Sequence, residues 1–254
     1  MLLAVDVGNT NTVLGLFDGS RLVDHWRIST EARRTADELG LTFAGLLGDR
    51  VDEVTGLSCC STVPAVLHTV REVCSKRFPG LPLVIVEPGV KTGVPILFDN
   101  PKEVGADRIV NALAAFTGYG GPAVVVDFGT STNFDVVSAK GEFVGGVLAP
   151  GIEISVDALA ARAAQLRKVE LARPRTAIAK NTVEALQSGI LYGFAGQVDR
   201  IVEEILAELG DPSGVAVIAT GGLAALVVDE SRRITVHDPW LTLVGLRLVF
   251  DKNL

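Results

Sequence analysis

Two stretches of the chain share a pattern of apolar and polar positions that predicts a strand, a tight glycine turn and a second strand. The first, LLAVDVGNTNTVLGL, begins at Leu2, and the second, AVVVDFGTSTNFDVV, begins at Ala123. A further turn and strand follow each copy, around Leu22 to Ile28 and Glu142 to Leu148. The pattern therefore predicts a three-stranded antiparallel meander that is built twice.

Amphipathic segments between and after the meanders predict helices. These helices begin at about Thr35, Pro64, Lys102, Ile154 and Thr182, and the last two extend to Arg167 and Leu209. Apolar runs add strands at about Val54 to Cys59, Leu83 to Val86 and Val215 to Ala219. Alternating strands and helices predict an α/β fold. The segment GYGGP, Gly118 to Pro122, indicates a hinge, so we predict two domains, residues 1–117 and 118–254.

The turns inside the duplicated pattern have the composition of phosphate-binding loops. Aligned without a gap, Asp6 falls on Asp127, Gly8 on Gly129, and Asn9–Thr12 on Thr130–Asn133. Glycine lets the backbone approach a ligand closely, and the N–H groups and hydroxyls of the turn can then face phosphate oxygens. An aspartate at this place can hold Mg²⁺ or K⁺ beside those phosphates. One loop in each half predicts a nucleotide that is clamped between two related domains.

A third glycine turn strengthens the nucleotide hypothesis. The predicted strand Val215 to Ala219 leads into Thr220, Gly221 and Gly222, a turn suited to lie against an adenine or a ribose. Neither GxxxxGK[ST] nor GxGxxG in a strand–helix context occurs, so two better-known phosphate loops are excluded. One DxGxT match alone is weak, whereas two in register with a strand-TGG element are far more specific. A purely structural duplication is the alternative.

The segment Glu103 to Arg108 supplies a candidate general base. A carboxylate beside an arginine at a helix start often only caps the helix and forms an ion pair. However, phosphoryl transfer needs a base that orients the attacking hydroxyl, besides phosphate contacts and a metal. We therefore expect Asp107 to act as the base and Arg108 to hold an anionic group of the substrate.

Composition and charge narrow the class of protein. The net charge of −7 argues against a nucleic-acid surface, and no apolar stretch reaches the length of a membrane span. Three cysteines without a CxxC pair indicate neither a disulfide framework nor a zinc site. The three histidines stand far apart and suggest no ligand set. We expect a soluble, reduced, cytoplasmic protein without nucleic-acid or membrane partners.

The long predicted helix that begins at Thr182, its expected N-cap, carries a stripe of small residues. Ala185, Gly189, Gly193 and Gly196 lie near one face. Glycine inside a helix costs about 1 kcal/mol relative to alanine, so the stripe requires a reason. Close helix packing within the chain and contact across a dimer interface both fit.

Five segments together carry a resemblance to a known family. These are DVGNTNT, NPKEVGADR, DFGTSTNFD, the stretch Gly145 to Gly151, and NTVEALQSGILYGFAG. In this order they resemble type III pantothenate kinase, and the resemblance covers essentially the whole chain. It implies two ribonuclease-H-like domains of the actin, Hsp70 and sugar-kinase superfamily, with mixed sheets related by internal duplication. It further implies a homodimer with the substrate site at its interface.

The resemblance also implies an activity, its cofactors and a set of residue roles. Members phosphorylate pantothenate with ATP in the first step of coenzyme A synthesis and require Mg²⁺ with ATP and also K⁺ or NH₄⁺. Asp127 would hold the monovalent cation, Thr130 would contact ATP, and Thr182 would reach pantothenate. The first ATP-binding loop would comprise Asp6, Val7, Gly8, Asn9, Thr10, Asn11, Thr12 and Val13, with Asp6 near Mg²⁺. Gly105, Ala106, Asp107 and Arg108 would line the pantothenate site, with Asp107 as the general base.

This chain departs from the family pattern at three places. Phe98 stands where many members have a tyrosine that contacts pantothenate, so the ring is kept and the hydroxyl is lost. In the second loop, Ser131 and Asn133 replace an alanine and a threonine, and no lysine stands near Val13. A catalytically silent homologue that acts as an accessory binding protein is therefore the main alternative, and a sugar or carboxylate kinase is the next.

Overall fold

The computed structural model describes residues 1–162, 169–210 and 213–254. Its strands form two five-stranded sheets, one from each half of the duplicated pattern, and each mixes parallel and antiparallel pairs. Helices connect the parallel strands, because a parallel pair needs a crossover. The α/β architecture with two related mixed sheets is confirmed.

The first sheet has the strand order β3-β2-β1-β4-β5. Its strands are β1 (Leu2–Val7), β2 (Asn11–Asp18), β3 (Arg21–Ser29), β4 (Gly56–Ser61) and β5 (Leu83–Ile85). The first three form the predicted meander, and β4 and β5 extend it in parallel. Successive side chains of a strand face opposite sides of the sheet. Leu3, Val5 and Val7 thus join one core, whereas Asp6 points to the other side.

Helices α1 (Ala36–Leu47), α2 (Pro64–Arg77) and the C-terminal α7 (Leu241–Asn253) are among those that accompany this sheet. Thr35 caps α1 in a reciprocal capping box with Glu38, as its sequence pattern predicts. Helices α1 and α2 share the core of Leu3 and Val5. Helix α7 contacts β1 and β4, and the Ser58 hydroxyl donates a hydrogen bond to the Leu246 carbonyl at 2.8 Å.

The second sheet repeats this topology, with the strand order β10-β9-β6-β7-β8. Its strands are β6 (Ala123–Phe128), β7 (Ser131–Val137), β8 (Phe143–Pro150), β9 (Ala216–Thr220) and β10 (Val236–His237). The accompanying helices are α4 (Ile152–Arg162), α5 (Thr182–Glu208) and the short α6 (Ala224–Val227). Val124, Val126 and Phe128 share a core with Ala195 and Val198 of α5. Beyond residue 162, the predicted helix to Arg167 lies outside the described residues.

Helix α3 (Ala106–Tyr119) begins later than the sequence predicts. Asn100 and Pro101 open a separate 3-10 turn, Pro101–Glu103, and the main helix starts only after Gly105. The predicted N-cap of α5 is also wrong by one residue. Asn181 is the cap, because its side-chain oxygen accepts a hydrogen bond from the Glu184 N–H at 2.9 Å, and Thr182 is the first helical residue.

The compact units differ from the predicted division after residue 117. One unit comprises Met1–Val94, Asp99–Ala114 and Leu241–Leu254, and the other comprises Pro95–Phe98 and Ala115–Trp240. The C-terminal helix belongs with the first sheet because its buried Leu243 and Leu246 pack there. The segment Pro95–Phe98 belongs with the second sheet because the Leu97 N–H donates to the Phe143 carbonyl at 2.8 Å.

The ungapped alignment of the two phosphate loops is wrong beyond the turn. Across the first hairpin, Asp6 pairs with Val13, whereas Asp127 pairs with Asn133 across the second. The second turn is therefore one residue shorter, and Asn133 is equivalent to Val13 rather than to Thr12. Thr12 is equivalent instead to Thr132, and both are buried.

Candidate active site

The first loop joins β1 to β2 in a tight turn. The Gly8 N–H donates to the Asn11 carbonyl at 3.0 Å, which leaves Asn9 and Thr10 exposed at the tip. Behind the tip, the buried Thr12 hydroxyl lies 2.9 Å from the Thr30 hydroxyl. These contacts hold the loop in shape while its exposed tip can meet a ligand. Val7 is buried and Val13 is half-buried at the two strand ends of the loop.

Asp6 is held in an environment that opposes its negative charge. Burial, and next the negative charge of Asp107, raise the pKa of the Asp6 carboxyl to about 7. The Cys60 thiol donates a hydrogen bond to Asp6 Oδ1 at 3.2 Å and acts in the opposite direction. Sequence analysis missed this role of Cys60, and the signal for it is the parallel pairing that sets Cys60 beside Asp6.

Asp107 lies in the first turn of α3 and faces the same electrostatic environment. Burial raises the pKa of its carboxyl, and hydrogen bonds from backbone N–H groups together with the Arg108 charge oppose that rise. Within the described part of the chain, its buried Oδ1 has no hydrogen-bond partner. A desolvated carboxylate with a vacant acceptor atom is suited to take a proton from a substrate hydroxyl.

The residues around Asp107 explain how its carboxylate is placed. A Cβ on Gly105 would lie 2.4 Å from Asp107 Oδ1, so glycine leaves the room that the carboxylate occupies. Arg108 is a buried charged residue, and Ala106 is half-buried. The structure thus brings two predicted groups together in one unit, the Asp6 loop and the segment Gly105 to Arg108.

The second loop joins β6 to β7 and carries Asp127 and Thr130. The Gly129 N–H donates to the Ser131 carbonyl at 3.0 Å, and Thr130 is exposed at the tip. On the strand behind it, the Ser131 hydroxyl donates to Asn133 Oδ1 at 2.6 Å. Asn133 thus lies opposite Asp127 with its side-chain oxygen already engaged by Ser131.

The predicted glycine turn after β9 lies directly against the Asp127 carboxylate. Gly221 has a φ of 92°, which favours glycine, and a Cβ there would lie 2.5 Å from Asp127 Oδ1. Gly222 follows as an exposed residue. The second loop and the Gly221–Gly222 turn are therefore neighbours within one unit.

We expect the substitution Gly221→Ala to lower the free energy of unfolding by about 2–6 kcal/mol, since backbone strain and overpacking each cost about 1–3 kcal/mol. Gly214→Ala is the matched control, because Gly214 has a φ of 78° and no described atom lies within 4 Å of a Cβ there. The control should lose about 1–2 kcal/mol from strain alone. Urea unfolding of both variants tests the difference, and equal losses would show that contact with Asp127 is not tight.

Phe98 and Thr182 both belong to the second unit, whereas Asp107 belongs to the first. The Phe98 ring is half-buried and packs against Phe143 with centroids 6.2 Å apart. Thr182 is exposed at the first turn of α5. The structure thus gives Phe98 a packing partner and leaves Thr182 accessible, and their predicted contact with pantothenate stays a prediction.

Asp6 and Asp127 can supply only part of the ligand set for the Mg²⁺ and K⁺ or NH₄⁺ ions that we expect. No group of three or more potential metal-ligating side chains occurs in the ranges the structure describes. Mg²⁺ bound with a nucleotide usually takes one or two carboxylates and completes its shell with phosphates and water. The desolvated Asp6, whose charge lacks a strong counter-charge, fits that role. Asp127 offers carboxylate oxygen, the ligand type that hard cations prefer.

Two duplicated mixed sheets, each opening into a glycine hairpin behind an aspartate, define the actin, Hsp70 and sugar-kinase class of fold. Solved structures agree. The chain is similar to a Campylobacter jejuni protein described under the Baf family of transcriptional activators, with a TM-score of 0.61, 17% identity and coverage of 99% and 98% of the two chains. It is also similar to a ROK family glucokinase from Streptomyces griseus in complex with glucose and AMPPNP, with a TM-score of 0.52, 13% identity and the same coverage. At these identities the likeness shows the fold alone.

Sequence comparison identifies the family. The sequence model of type III pantothenate kinase matches residues 2–204. A type III pantothenate kinase from Acidothermus cellulolyticus is 69% identical over 100% of this chain and 99% of its own length. The chain therefore belongs to the type III pantothenate kinase family and is a kinase, as the five resembling segments indicate. In the described ranges, no helix combines the length and apolarity required to cross a bilayer.

Proposed function

We propose that this protein transfers the γ-phosphate of ATP to pantothenate and forms 4′-phosphopantothenate, the first step of coenzyme A synthesis. One observation carries this proposal beyond the family: in the described residues the buried Asp107 Oδ1 has no hydrogen-bond partner, and the Asp107 charge acts on Asp6 of the first phosphate loop and raises its pKa. One carboxylate to hold a metal and one to accept a proton are what phosphoryl transfer to an alcohol requires.

Each predicted residue then has a role. The first loop, Asp6 to Val13, binds ATP phosphates, and Thr130 of the second loop adds a contact. Gly221 and Gly222 lie against the adenosine. Asp107 accepts the proton of the pantothenate hydroxyl, while Arg108 binds the pantothenate carboxylate with a charge-assisted hydrogen bond. Phe98 and Thr182 contribute further pantothenate contacts.

A substrate panel tests the proposal. Purified protein receives ATP, Mg²⁺ and K⁺ with pantothenate, glucose, N-acetylglucosamine or acetate, and ADP release is measured. We expect release with pantothenate to exceed that with every other acceptor. Preference for a sugar or for acetate would favour the alternative kinase hypothesis, and no release with any acceptor would favour a silent homologue.

Asp127 provides a prediction about the monovalent cation. We propose that its carboxylate binds K⁺ or NH₄⁺ beside the phosphates, which neutralises charge that develops during transfer. Asp127→Asn should therefore lose most of the rate that K⁺ adds over Na⁺ while it stays folded. Initial rates in K⁺ and in Na⁺ check this, and a variant that K⁺ still stimulates fully would contradict the role of Asp127.

The glycine stripe of α5 supports the proposed homodimer. Gly189, Gly193 and Gly196 are exposed, and a Cβ added at any of them meets no described atom within 4 Å. Among the described residues, close packing within the chain is therefore not observed at these three glycines, which favours the dimer interpretation. Tyr192 and Val183 on the same helix are large, exposed apolar residues, 39% and 50% accessible. We propose that α5 packs against a second copy and that the substrate site lies at that interface.

We expect Gly193→Glu to shift the protein from dimer to monomer, because a charged side chain on this stripe would be buried in the interface. Gly45→Glu in α1 is the control, since Gly45 is equally exposed and its Cβ also meets no described atom. Light scattering after size exclusion measures the mass of each. A monomeric wild type, or a dimeric Gly193→Glu protein, would contradict the interface.

A further inference from the structure

One row of paired residues crosses four strands of the first sheet at the level of Asp6. Asp6 on β1 pairs with Cys60 on β4 and with Val13 on β2, and Val13 pairs with Arg27 on β3. Residues directly opposite each other project to the same face of a sheet. Arg27 therefore lies on the face of Asp6, two strands away, which is roughly 10 Å between backbones at the usual strand spacing.

The Arg27 guanidinium influences the site electrostatically. Its positive charge lowers the pKa of the Asp6 carboxyl against the larger effects of burial and of Asp107. Arg27 is exposed, and among the described residues it forms no ion pair with a carboxylate. Two other charged residues of β3 do form ion pairs, Arg21 with Asp18 and Asp24 with Arg50. A long cationic side chain thus stands beside the first loop without a structural ion pair.

The second sheet shows that this charge is not part of the repeated fold. In the equivalent row, Thr220, Asp127, Asn133 and Leu148 occupy the places of Cys60, Asp6, Val13 and Arg27. Both sheets keep the aspartate, but only the first has a cation two strands away. Because ATP brings several negative charges to the first loop, that cation has an evident partner in the bound state.

We propose that Arg27 binds the terminal phosphates of ATP at the first phosphate loop. The inference rests on the proposed function only in taking ATP as the phosphoryl donor. Val13 is apolar and lies between Asp6 and Arg27 in this row, so it offers the guanidinium no polar partner of its own. Arginine matches phosphate oxygens with two parallel N–H donors, which favours this partner. Positioning of the terminal phosphate is also a large part of catalysis in phosphoryl transfer.

The test compares two arginines of the same strand. Arg27→Ala and Arg21→Ala each remove one positive charge from β3, but Arg21 lies at the far end of the strand and outside the Asp6 row. Calorimetry with Mg²⁺ measures the affinity of each variant for AMPPNP and for ADP. We expect Arg27→Ala to weaken AMPPNP binding about 10- to 100-fold, the range of a lost charge-assisted hydrogen bond. ADP binding should weaken less, and Arg21→Ala should change both by less than about twofold.

Arg27→Lys provides a second variant, which keeps the charge but loses the paired donors. It should recover part of the AMPPNP affinity that Arg27→Ala loses. If Arg27→Ala binds AMPPNP as Arg21→Ala does, the inference is overturned, and Arg27 is an ordinary solvated charge. Equal losses for AMPPNP and ADP would overturn its assignment to the terminal phosphates.

The two proposals can fail separately. Calorimetry needs no acceptor substrate, so it tests Arg27 even if pantothenate is not the acceptor. Conversely, a wild type that phosphorylates pantothenate and an Arg27→Ala protein with unchanged nucleotide affinity would uphold the function and reject the role of Arg27. Thermal melting of all variants confirms that exposed substitutions on β3 leave the fold intact.

Discussion

Asp107→Asn is expected to reduce kcat for pantothenate phosphorylation about 10²- to 10⁴-fold, the usual contribution of a positioned general base. Asparagine has nearly the same shape but cannot accept the proton of the attacking hydroxyl. Because the raised pKa of Asp107 arises from burial, removing its charge should not destabilise the folded protein. The affinity for ATP should stay within about threefold of wild type, because the base acts on the acceptor.

Glu103→Gln is the matched control for Asp107→Asn. It removes one carboxylate charge from the same segment, at an exposed position where the glutamine oxygen can still accept from the Asn100 amide. Its kcat should be close to that of wild type. The pH profile offers a second check: since burial raises the pKa of Asp107, the acidic loss of kcat should begin above the ordinary carboxyl range. Near-wild-type turnover by Asp107→Asn would reject the assignment of the base.

Asp6→Asn is expected to stabilise the ligand-free protein and to abolish its response to Mg²⁺ and ATP. The pKa of Asp6 rises from 3.8 to about 7 in the folded state, so the folded protein holds this proton more tightly than the unfolded chain. Folding then takes up a proton between about pH 4 and 7, and the stability of the wild type falls as pH rises through that window. Above about pH 7, the ionised Asp6 carboxylate lowers the free energy of unfolding by about 4 kcal/mol, because each pKa unit corresponds to about 1.36 kcal/mol.

The measurement is the free energy of unfolding of both proteins at pH 4 and pH 8. Asp6→Asn should exceed wild type by up to about 4 kcal/mol at pH 8 and should match it near pH 4. Addition of Mg²⁺ and ATP should raise the melting temperature of wild type and leave that of the variant unchanged. A variant that is less stable than wild type at pH 8 would show that Asp6 is stabilised by partners other than Cys60 and Arg27.

Local sequence patterns predicted strands β1 to β9 and the capped start of α1, because their causes lie within a few residues. Thr35 and Glu38 form the capping box from positions three apart, and the continuous apolar runs of β1 and β6 open the two meanders. The start of α3 was missed because a separate 3-10 turn, Pro101–Glu103, precedes it, and the main helix begins only after Gly105.

Features that depend on long-range packing could not be predicted from the sequence. No periodicity in α7 says that it belongs to the first sheet, because its partner Ser58 lies far earlier in the chain. The sequence also does not reveal that the second hairpin turn is one residue shorter than the first, since an ungapped alignment still matches Asp6 to Asp127. Only the strand pairing shows that Asn133 is equivalent to Val13.

Candidate site residues could be proposed from the sequence where one segment carries the chemistry. Asp6, Asp107 and Asp127 each stand in a short motif, and the roles that we assign to them stay predictions. The positions of Cys60 and Arg27 in the Asp6 row were not predictable, because they depend on strand pairing with Asp6 and with Val13. In the sequence, Cys60 is one cysteine in an apolar strand and Arg27 is one arginine in a polar strand. Only the strand pairing shows that both lie in the row of Asp6.

Mass spectrometry of the reaction product shows whether this protein phosphorylates pantothenate and whether Asp107 is required. Purified protein is incubated with ATP, Mg²⁺, K⁺ and pantothenate, and the reaction is examined for 4′-phosphopantothenate, with an Asp107→Asn sample alongside. We predict that the product forms with wild type and is nearly absent with the variant. A folded wild type that consumes no ATP and forms no 4′-phosphopantothenate would contradict this prediction.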